Sequence, residues 1–169
     1  MKYSKLLLLI GFLSFMFSAM GQSEKYQAVF IYNFTKHIEW PDHLRGGDFV
    51  IGVIGNSPII SELETMAQSR KVGNQQIVVK KFKTLDEIGV CHVLFIPTAR
   101  SADLNTIVSM VKNNNTLLIT DKEGLANAGA AINFVIRDNK QKFELKKSNA
   151  TKYGLKVSSE LERLAIVVD

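Results

Sequence analysis

Two histidines and two carboxylates lie close together around the first proline of the chain. In "HIEWPDH", His37 and His43 flank Glu39 and Asp42, and all four side chains are of types that bind divalent metals. The two histidines are six residues apart across a proline, which is not a regular ligand pattern. His37 also lies on the apolar stripe of a predicted helix, where packing explains it better. The sequence therefore predicts no metal site.

A second candidate is the loop in "GVIGNSP", which joins a predicted strand to a predicted helix. Here Gly55, Asn56 and Ser57 occupy a position where backbone amides and a helix N-terminus can bind an anion or a small ligand. The loop lacks the third glycine of a dinucleotide fingerprint and the Gly-Lys-Ser/Thr of a P-loop. A structural turn and a small-ligand site both remain open.

Residue patterns typical of catalysis do not occur in the sequence. There is no Gly-x-Ser-x-Gly nucleophile elbow and no His-Glu-x-x-His motif. The only cysteine, Cys91, lies in the apolar run "VCHVLFIP", which favours a buried side chain and leaves an intermolecular bridge as the alternative. We therefore predict that the protein is not an enzyme and has no cofactor.

The N-terminus resembles a secretory signal peptide. Lys2 and Lys5 precede a largely apolar stretch from Leu6 to Phe17 and then the small and polar run "SAMGQS". This stretch is short for a bilayer span, which needs about 20 apolar residues. We predict a signal peptide over residues 1–21, cleaved after Gly21, and an exported, periplasmic protein that does not itself span the membrane.

The remaining residues, 22–169, are enough for one domain with a hydrophobic core, and 46% of the whole chain is hydrophobic. The whole chain has 21 basic and 16 acidic side chains; without Lys2 and Lys5 the net charge falls from +5 to +3. The lysines are not interleaved with aromatic residues, so the composition does not favour nucleic acid as a partner.

The middle of the chain alternates between apolar strands and helical segments. A helix is predicted from Tyr26 until Pro41 ends it, and Pro58 suits the first position of a second helix capped by Asn56 or Ser57. Short strands that are apolar on both faces indicate a parallel sheet covered by helices. The predicted strands are 48–55, 75–82, 91–97 and 116–120, and a third helix is predicted over 102–112.

The pattern changes near the C-terminus. "AAINFVIRDNKQKFELKK" alternates with a period of two and indicates an antiparallel hairpin with Asp138 and Asn139 in its turn. A short helix capped by Ser148 or Asn149 and a second one from Ser158 to Ala165 follow. We therefore predict an α/β fold with a Rossmann-like mixed sheet, mostly parallel, with an antiparallel C-terminal hairpin and helices on both faces.

The first helix has more apolar surface than one sheet can cover. Beside the stripe that faces the sheet, a second flank is weakly apolar, so the helix is either sunk in the core or packed against another protein. Trp40, the only tryptophan, could anchor the core or cap an exposed patch. The candidate residues for a partner-binding or dimer surface are Phe30, Ile31, Phe34, Ile38 and Trp40.

Two segments resemble the YfiR family of exported regulators. "YQAVFIYNFTKHIEWP" is similar to the opening helix of the family, and "GAAINFVIRDNKQKFELKKSNATKYGLKVSSELERLA" is similar to its C-terminal hallmark. Ala130 replaces the second glycine of that hallmark, and the paired cysteines of better-known relatives do not occur here. The residues that fall on the two motifs are Tyr32, Asn33, Phe34, Trp40, Pro41, Gly129, Asn133, Phe134, Leu155, Ser158 and Ser159.

The resemblance implies a function that the residue patterns do not. It implies a periplasmic domain, generally a homodimer, that binds and represses a membrane-anchored signalling protein of the YfiN diguanylate cyclase type and thereby controls cyclic di-GMP and biofilm formation. A sensor kinase is another possible target, because related domains accompany other sensors. The alternative function is a periplasmic small-molecule-binding module with its ligand at Gly55, Asn56 and Ser57.

Overall fold

The computed structural model describes residues 22–169. The expected signal peptide lies outside the described residues, and the division of the chain after Gly21 stays a prediction. Within residues 22–169, no helix has both the length and the apolar character that crossing a bilayer requires.

The described chain alternates between short strands and helices. The α-helices are α1 (22–34), α2 (Ile59–Ala67), α3 (Leu104–Val111), α4 (Lys147–Lys152) and α5 (Ser159–Leu164). The strands are β1 (Ile38–Glu39), β2 (Phe49–Ile54), β3 (Lys71–Val72), β4 (Gln75–Phe82), β5 (Val93–Ile96), β6 (Leu117–Thr120), β7 (Ile132–Arg137), β8 (Lys140–Leu145), β9 (Lys156–Val157) and β10 (Ile166–Val167). Short 3-10 helices cover Asp42–Leu44, Leu85–Glu87 and Thr98–Asp103.

Eight of these strands form one mixed sheet in the order β10-β8-β7-β6-β5-β2-β4-β3. The five central strands, β4, β2, β5, β6 and β7, are mutually parallel, whereas β8 pairs antiparallel with β7. In chain order the parallel strands follow the flavodoxin-like arrangement 2-1-3-4-5. The prediction of a mostly parallel, Rossmann-like α/β sheet with an antiparallel C-terminal hairpin is confirmed.

Helices cover both faces of the sheet. Helix α2 connects β2 to β4 toward one edge and α3 connects β5 to β6 toward the other, so right-handed crossovers place the two helices on opposite faces. All residues of β5 and β6 are buried, because both of their faces are covered. The apolar runs "VLFI" and "LLIT" therefore form the centre of the core.

The first helix ends earlier than predicted. Helix α1 stops at residue 34, and residues 35–37 form a turn closed by Thr35, Lys36 and His37 amides that each bond the carbonyl three residues before. Ile38 and Glu39 then pair antiparallel with Val157 and Lys156 as a two-stranded sheet. The prediction of helix up to Pro41 was wrong because pairing with β9, more than 100 residues away in sequence, outweighs the local helical periodicity.

Other local predictions were met in part. The hairpin turn falls at Asp138 and Asn139, which both have positive φ, at 54° and 57°. The hydroxyl of Ser158 caps α5 by accepting from the amide of Leu161. Neither Ser148 nor Asn149 caps α4, which begins at Lys147, because the Asn149 amide group instead donates to the carbonyls of Ala126 and Ala130, both at 2.8 Å.

Candidate partner-binding surface

Helix α1 is fixed to the sheet by a cluster of phenylalanines. The Phe34 ring lies 4.8 Å from that of Phe143 and 6.0 Å from that of Phe134, on paired positions of β8 and β7. Phe30 packs against the same two rings at 5.7 and 6.1 Å. This aromatic contact explains why "FIYNF" folds as a helix against the C-terminal hairpin, and it fixes which side of α1 faces outward.

The predicted surface residues are mostly buried. Ile31, Phe34, Ile38 and Trp40 all belong to the hydrophobic core, and only Phe30 is partly exposed. Sequence periodicity identified the apolar residues of the helix but could not tell which of them the sheet covers. Any partner that binds the folded protein at α1 can therefore reach Phe30 but not the other four residues.

The exposed side of α1 has a different composition. Tyr26 is 50% exposed and Val29 is 48% exposed, and Lys25 lies beside them in solvent. Further along, the Tyr32 ring is flanked by two cations, the ammonium of Lys36 at 4.6 Å and the guanidinium of Arg70 at 5.5 Å. We call this surface, formed by Lys25, Tyr26, Val29, Tyr32, Lys36 and Arg70, the α1 outer face.

A hollow of about 450 Å³ lies beside the α1 outer face. Tyr26 and Phe30 form one wall, and the turn between β7 and β8 forms the other. The full lining is Gln22, Tyr26, Phe30, Asn139, Lys140 and Gln141. Sequence reasoning missed Arg70 beside Tyr32 and Lys140 in the hollow, because each belongs to a segment distant in sequence that only the fold brings next to α1.

The only carboxylate of α1 within residues 22–34 faces elsewhere. Glu24 lines a separate cavity of about 400 Å³ together with Asp121, Glu123 and Arg137, at the carboxyl ends of β6 and β7. Its Oε2 atom is buried and has no hydrogen-bond partner among the described residues. The α1 outer face is therefore apolar and cationic.

Trp40 anchors the segment after α1 to the sheet. Its indole nitrogen donates to the carbonyl of His92 at 3.1 Å, and its ring packs edge-on against Phe49 at 5.1 Å. Nδ1 of His92 accepts from the Val50 amide at 3.0 Å, and Nε2 donates to the Leu44 carbonyl at 2.8 Å, which requires the neutral imidazole. Burial lowers the pKa of His92, and the bond to Leu44 opposes this only in part.

The motif residues of the C-terminal half support the fold. Asn133 is fully buried, accepts from the Thr120 hydroxyl at 2.5 Å and donates to the Glu144 carboxylate at 2.9 Å. Gly129 has φ +123°, and a Cβ atom there would come within 2.7 Å of Val108 on α3. These contacts join the hairpin to its neighbours.

The remaining motif positions follow the same division between core and surface. Phe134 and Leu155 are buried with Phe34 and Trp40, whereas Tyr32, Asn33, Pro41 and Ser158 are partly exposed. Ser159 is exposed. Most of the motif therefore stabilises the domain.

The predicted ligand loop lies where the strand order reverses. Gly55, with φ +78°, follows β2, and β4 and β5 lie on opposite sides of β2, the position at which doubly wound sheets bind ligands. The loop is already occupied by protein groups. Arg100 covers Gly55, its Nε bonds Asp103 at 2.5 Å, and the Asn56 side chain accepts from Lys81.

The residues considered for metal binding are dispersed. His92 lies in the core, His43 is exposed, and His37 contacts Ser158 and Glu160 at 3.4 and 3.6 Å. Among residues 22–169, no group of three His, Cys, Asp or Glu side chains is placed to hold a metal. Cys91 is buried, and burial raises the pKa of its thiol to about 12.

These features define a mixed α/β domain with a flavodoxin-like strand order and an N-terminal helix that is packed on the C-terminal hairpin. A family model described as YfiR/HmsC-like matches residues 24–166, which include the hairpin and all but the first two residues of the helix. The chain belongs to this family. No curated protein matches the chain.

Proposed function

We propose that the protein is a non-enzymatic periplasmic regulator that binds and represses a membrane-anchored signalling protein of the diguanylate cyclase type. The observation that carries this proposal is the match to the YfiR/HmsC-like family over residues 24–166. The resemblance of the sequence to exported regulators and the signal-peptide pattern of residues 1–21 support it further.

The α1 outer face and Phe30 are the proposed contact surface. Tyr26 and Val29 are about half exposed on a helix whose other side is firmly packed against Phe134 and Phe143. A rigid helix with a defined exposed face loses little conformational entropy on binding. Exposed apolar side chains next to a hollow are typical of an interaction site.

Repression requires a difference in affinity between two states of the partner. A regulator that binds the active and inactive conformations equally well shifts no equilibrium, however tightly it binds. We therefore propose that the α1 outer face fits the inactive conformation of the partner better than the active one. Cyclic di-GMP synthesis by the partner would then fall when the regulator is bound.

Capture from membranes tests this function. The protein is expressed from the full chain with a C-terminal tag, purified from the periplasmic fraction and incubated with detergent-solubilised membranes of its source. We expect recovery of a membrane signalling protein, and a lower cyclase or kinase activity of that protein when the regulator is added. Recovery of no such protein would refute the proposed function.

A pair of variants locates the contact. Val29→Asp introduces a charge into the α1 outer face, whereas Val90→Asp introduces the same charge at a residue that is 62% exposed and lies between Leu85–Glu87 and β5. We expect Val29→Asp to lower capture at least tenfold (about 1.4 kcal/mol) and Val90→Asp to leave it unchanged. Equal capture by the wild type and both variants would move the contact to another surface.

The expected homodimer belongs to the same proposal. Leu164, Ile166 and Val167 expose apolar side chains at the β10 edge of the sheet, away from the β4 side. An edge strand with exposed apolar side chains offers unpaired backbone groups to a second chain. Light scattering of the purified protein is expected to give twice the monomer mass, and a monomer at micromolar concentration would count against the dimer.

A small-molecule-binding module at Gly55, Asn56 and Ser57 is the second candidate. The position of this loop at the reversal of strand order favours it. The hydrogen bonds of Arg100 and Asn56 to other protein groups count against it, because a ligand must displace them. Thermal shift against a panel of periplasmic metabolites, with Asn56→Ala as control, tests it; no shift by any member would remove support.

A further inference from the structure

We propose that the α1 outer face and the adjoining hollow bind an acidic segment of the partner, with one apolar side chain inserted in the hollow and carboxylates placed over the cations of the α1 outer face. This inference rests on the proposed function and adds the chemistry of the segment that is recognised. Its basis is the distribution of charge and apolar surface along α1.

The cations of the α1 outer face have no acidic partners in the described part of the chain. Some surface lysines and arginines form ion pairs within the domain, such as Lys147 with Glu162 at 2.7 Å and Lys142 with Asp138 at 2.9 Å. Lys25, Lys36 and Arg70 form none within residues 22–169. A partner that supplies carboxylates would complement them and would be attracted from a distance.

The arrangement around Tyr32 strengthens this charge pattern. Lys36 and Arg70 approach the same ring, at 4.6 and 5.5 Å, although they come from different parts of the chain. Cation–π attraction to this ring favours the position of each cation on the surface. Cations whose positions are already held by the ring lose little side-chain freedom when they bind a carboxylate.

The hollow supplies the apolar part of the recognition. Phe30 forms part of its wall. The Phe30 ring packs against the rings of Phe34, Phe134 and Phe143, with distances between ring centroids of 5.7 to 6.1 Å. A side chain placed in the hollow would extend this cluster and bury apolar area, at about 25 cal/mol per Å². Apolar anchors in concave, rigid sites are typical of the centre of protein interfaces.

The shape of the surface favours a protein segment over a lipid headgroup layer. The hollow of about 450 Å³ is concave, and its far wall carries the polar side chains Asn139 and Gln141. A protruding side chain of a protein segment can fill such a hollow, and the backbone of that segment can form hydrogen bonds with the polar rim. A flat bilayer surface can do neither. An anionic membrane remains an outcome of the test.

Site-specific photo-crosslinking identifies what lies on this face. A photoreactive amino acid replaces Val29 in the full chain, and a second protein carries it at Val90 as control. After irradiation with solubilised membranes, mass spectrometry sequences the attached peptide. We expect attachment from position 29, and not from position 90, to a partner segment with an excess of Asp and Glu.

A charge-reversal pair tests the electrostatic part separately. Lys25→Glu with Lys36→Glu is expected to lower capture about tenfold at 150 mM salt, with a smaller loss at high salt. Lys112→Glu with Lys152→Glu changes the net charge equally at exposed lysines outside the α1 outer face, and is expected to have no effect. Circular dichroism and urea midpoints confirm that each variant is folded.

The outcomes separate the inference from the proposed function. Capture of a membrane signalling protein whose attached segment is basic or neutral, or that attaches only through another face, overturns the inference and leaves the function standing. Attachment to a second copy of this chain, or binding only to vesicles containing 30% phosphatidylglycerol, also overturns it. If the wild type captures no membrane signalling protein, both the function and the inference fail.

Discussion

The indole nitrogen of Trp40 donates a hydrogen bond of 3.1 Å to the backbone carbonyl of His92. This bond joins the segment after α1 to the start of β5 across 52 residues of sequence. The imidazole of the same histidine forms two hydrogen bonds with the backbone. Its Nδ1 accepts from the Val50 amide, and its Nε2 donates to the Leu44 carbonyl. Trp40 therefore fixes the segment after α1 to the sheet, and the surface that a partner can reach lies on α1 itself, N-terminal to Trp40.

The first prediction concerns this anchor. Trp40→Ala removes a buried ring that packs on Phe49 and is expected to lower the free energy of unfolding by about 3–5 kcal/mol. Trp40→Phe keeps an aromatic ring and loses the hydrogen bond, with an expected cost nearer 1–2 kcal/mol. Urea denaturation followed by circular dichroism measures both. Equal losses for the two variants would show that the ring contributes nothing beyond its hydrogen bond.

The second prediction concerns pH. Because burial lowers the folded-state pKa of His92 below 6.5, the unfolded chain takes up a proton before the folded protein does. This contribution to stability is complete above pH 6.5 and is lost as the pH falls from there toward the folded-state pKa. Urea midpoints between pH 8 and pH 5 are expected to fall on the acid side.

His43→Gln serves as the control for that series, because His43 is exposed. It is expected to keep the acid-side decrease, whereas His92→Gln is expected to flatten the decrease while lowering stability at all pH values. An undiminished decrease in folded His92→Gln would assign the pH dependence to other groups.

The third prediction concerns the buried polar contact at Asn133. Asn133→Ala leaves the Thr120 hydroxyl and one oxygen of Glu144 without the partner they have in the wild type. The Thr120 hydroxyl is fully buried, and an unsatisfied buried group costs about 1–3 kcal/mol, so we expect a loss of about 2 kcal/mol in the free energy of unfolding. Ser159→Ala, at an exposed motif position, is the control and is expected to change stability by less than about 0.5 kcal/mol.

The fourth prediction concerns the loop before β7. Gly129→Ala places a side chain at φ +123° and within 2.7 Å of Val108, so strain and a clash are expected to cost about 2–4 kcal/mol. Gly46→Ala adds a methyl group where nothing lies within 4 Å and is expected to be neutral or slightly stabilising. Thermal melts compare the two. A neutral Gly129→Ala would mean that the loop can shift away from α3.

Much of the fold could be predicted from the sequence because its signals are local. The strand "QQIVVKKF" was predicted at the bounds the structure has, Gln75–Phe82, and the apolar centres of β5 and β6 were found within two residues. Asp138 and Asn139 occupy the predicted turn because short polar side chains tolerate positive φ. In each case the residues that determine the element lie within it.

The candidate surface could not be predicted to the same extent. The period of the apolar residues in α1 is visible in sequence, but Ile31 and Phe34 face the sheet whereas Tyr26 and Val29 do not. That choice depends on where the C-terminal hairpin brings Phe134 and Phe143. The joint position of Lys36 and Arg70 on the Tyr32 ring likewise depends on elements distant in sequence.

The sequence by itself determined the family, the α/β order of elements and the apolar character of the first helix, because each depends on residue types and on spacings of a few residues. The tertiary structure decided that the helix ends at residue 34, that Trp40 bonds His92, and that a cationic and apolar face remains uncovered. Those three features depend on pairing and packing between distant segments. The energies of these contacts exceed local conformational preferences, and no single stretch of the chain contains both partners.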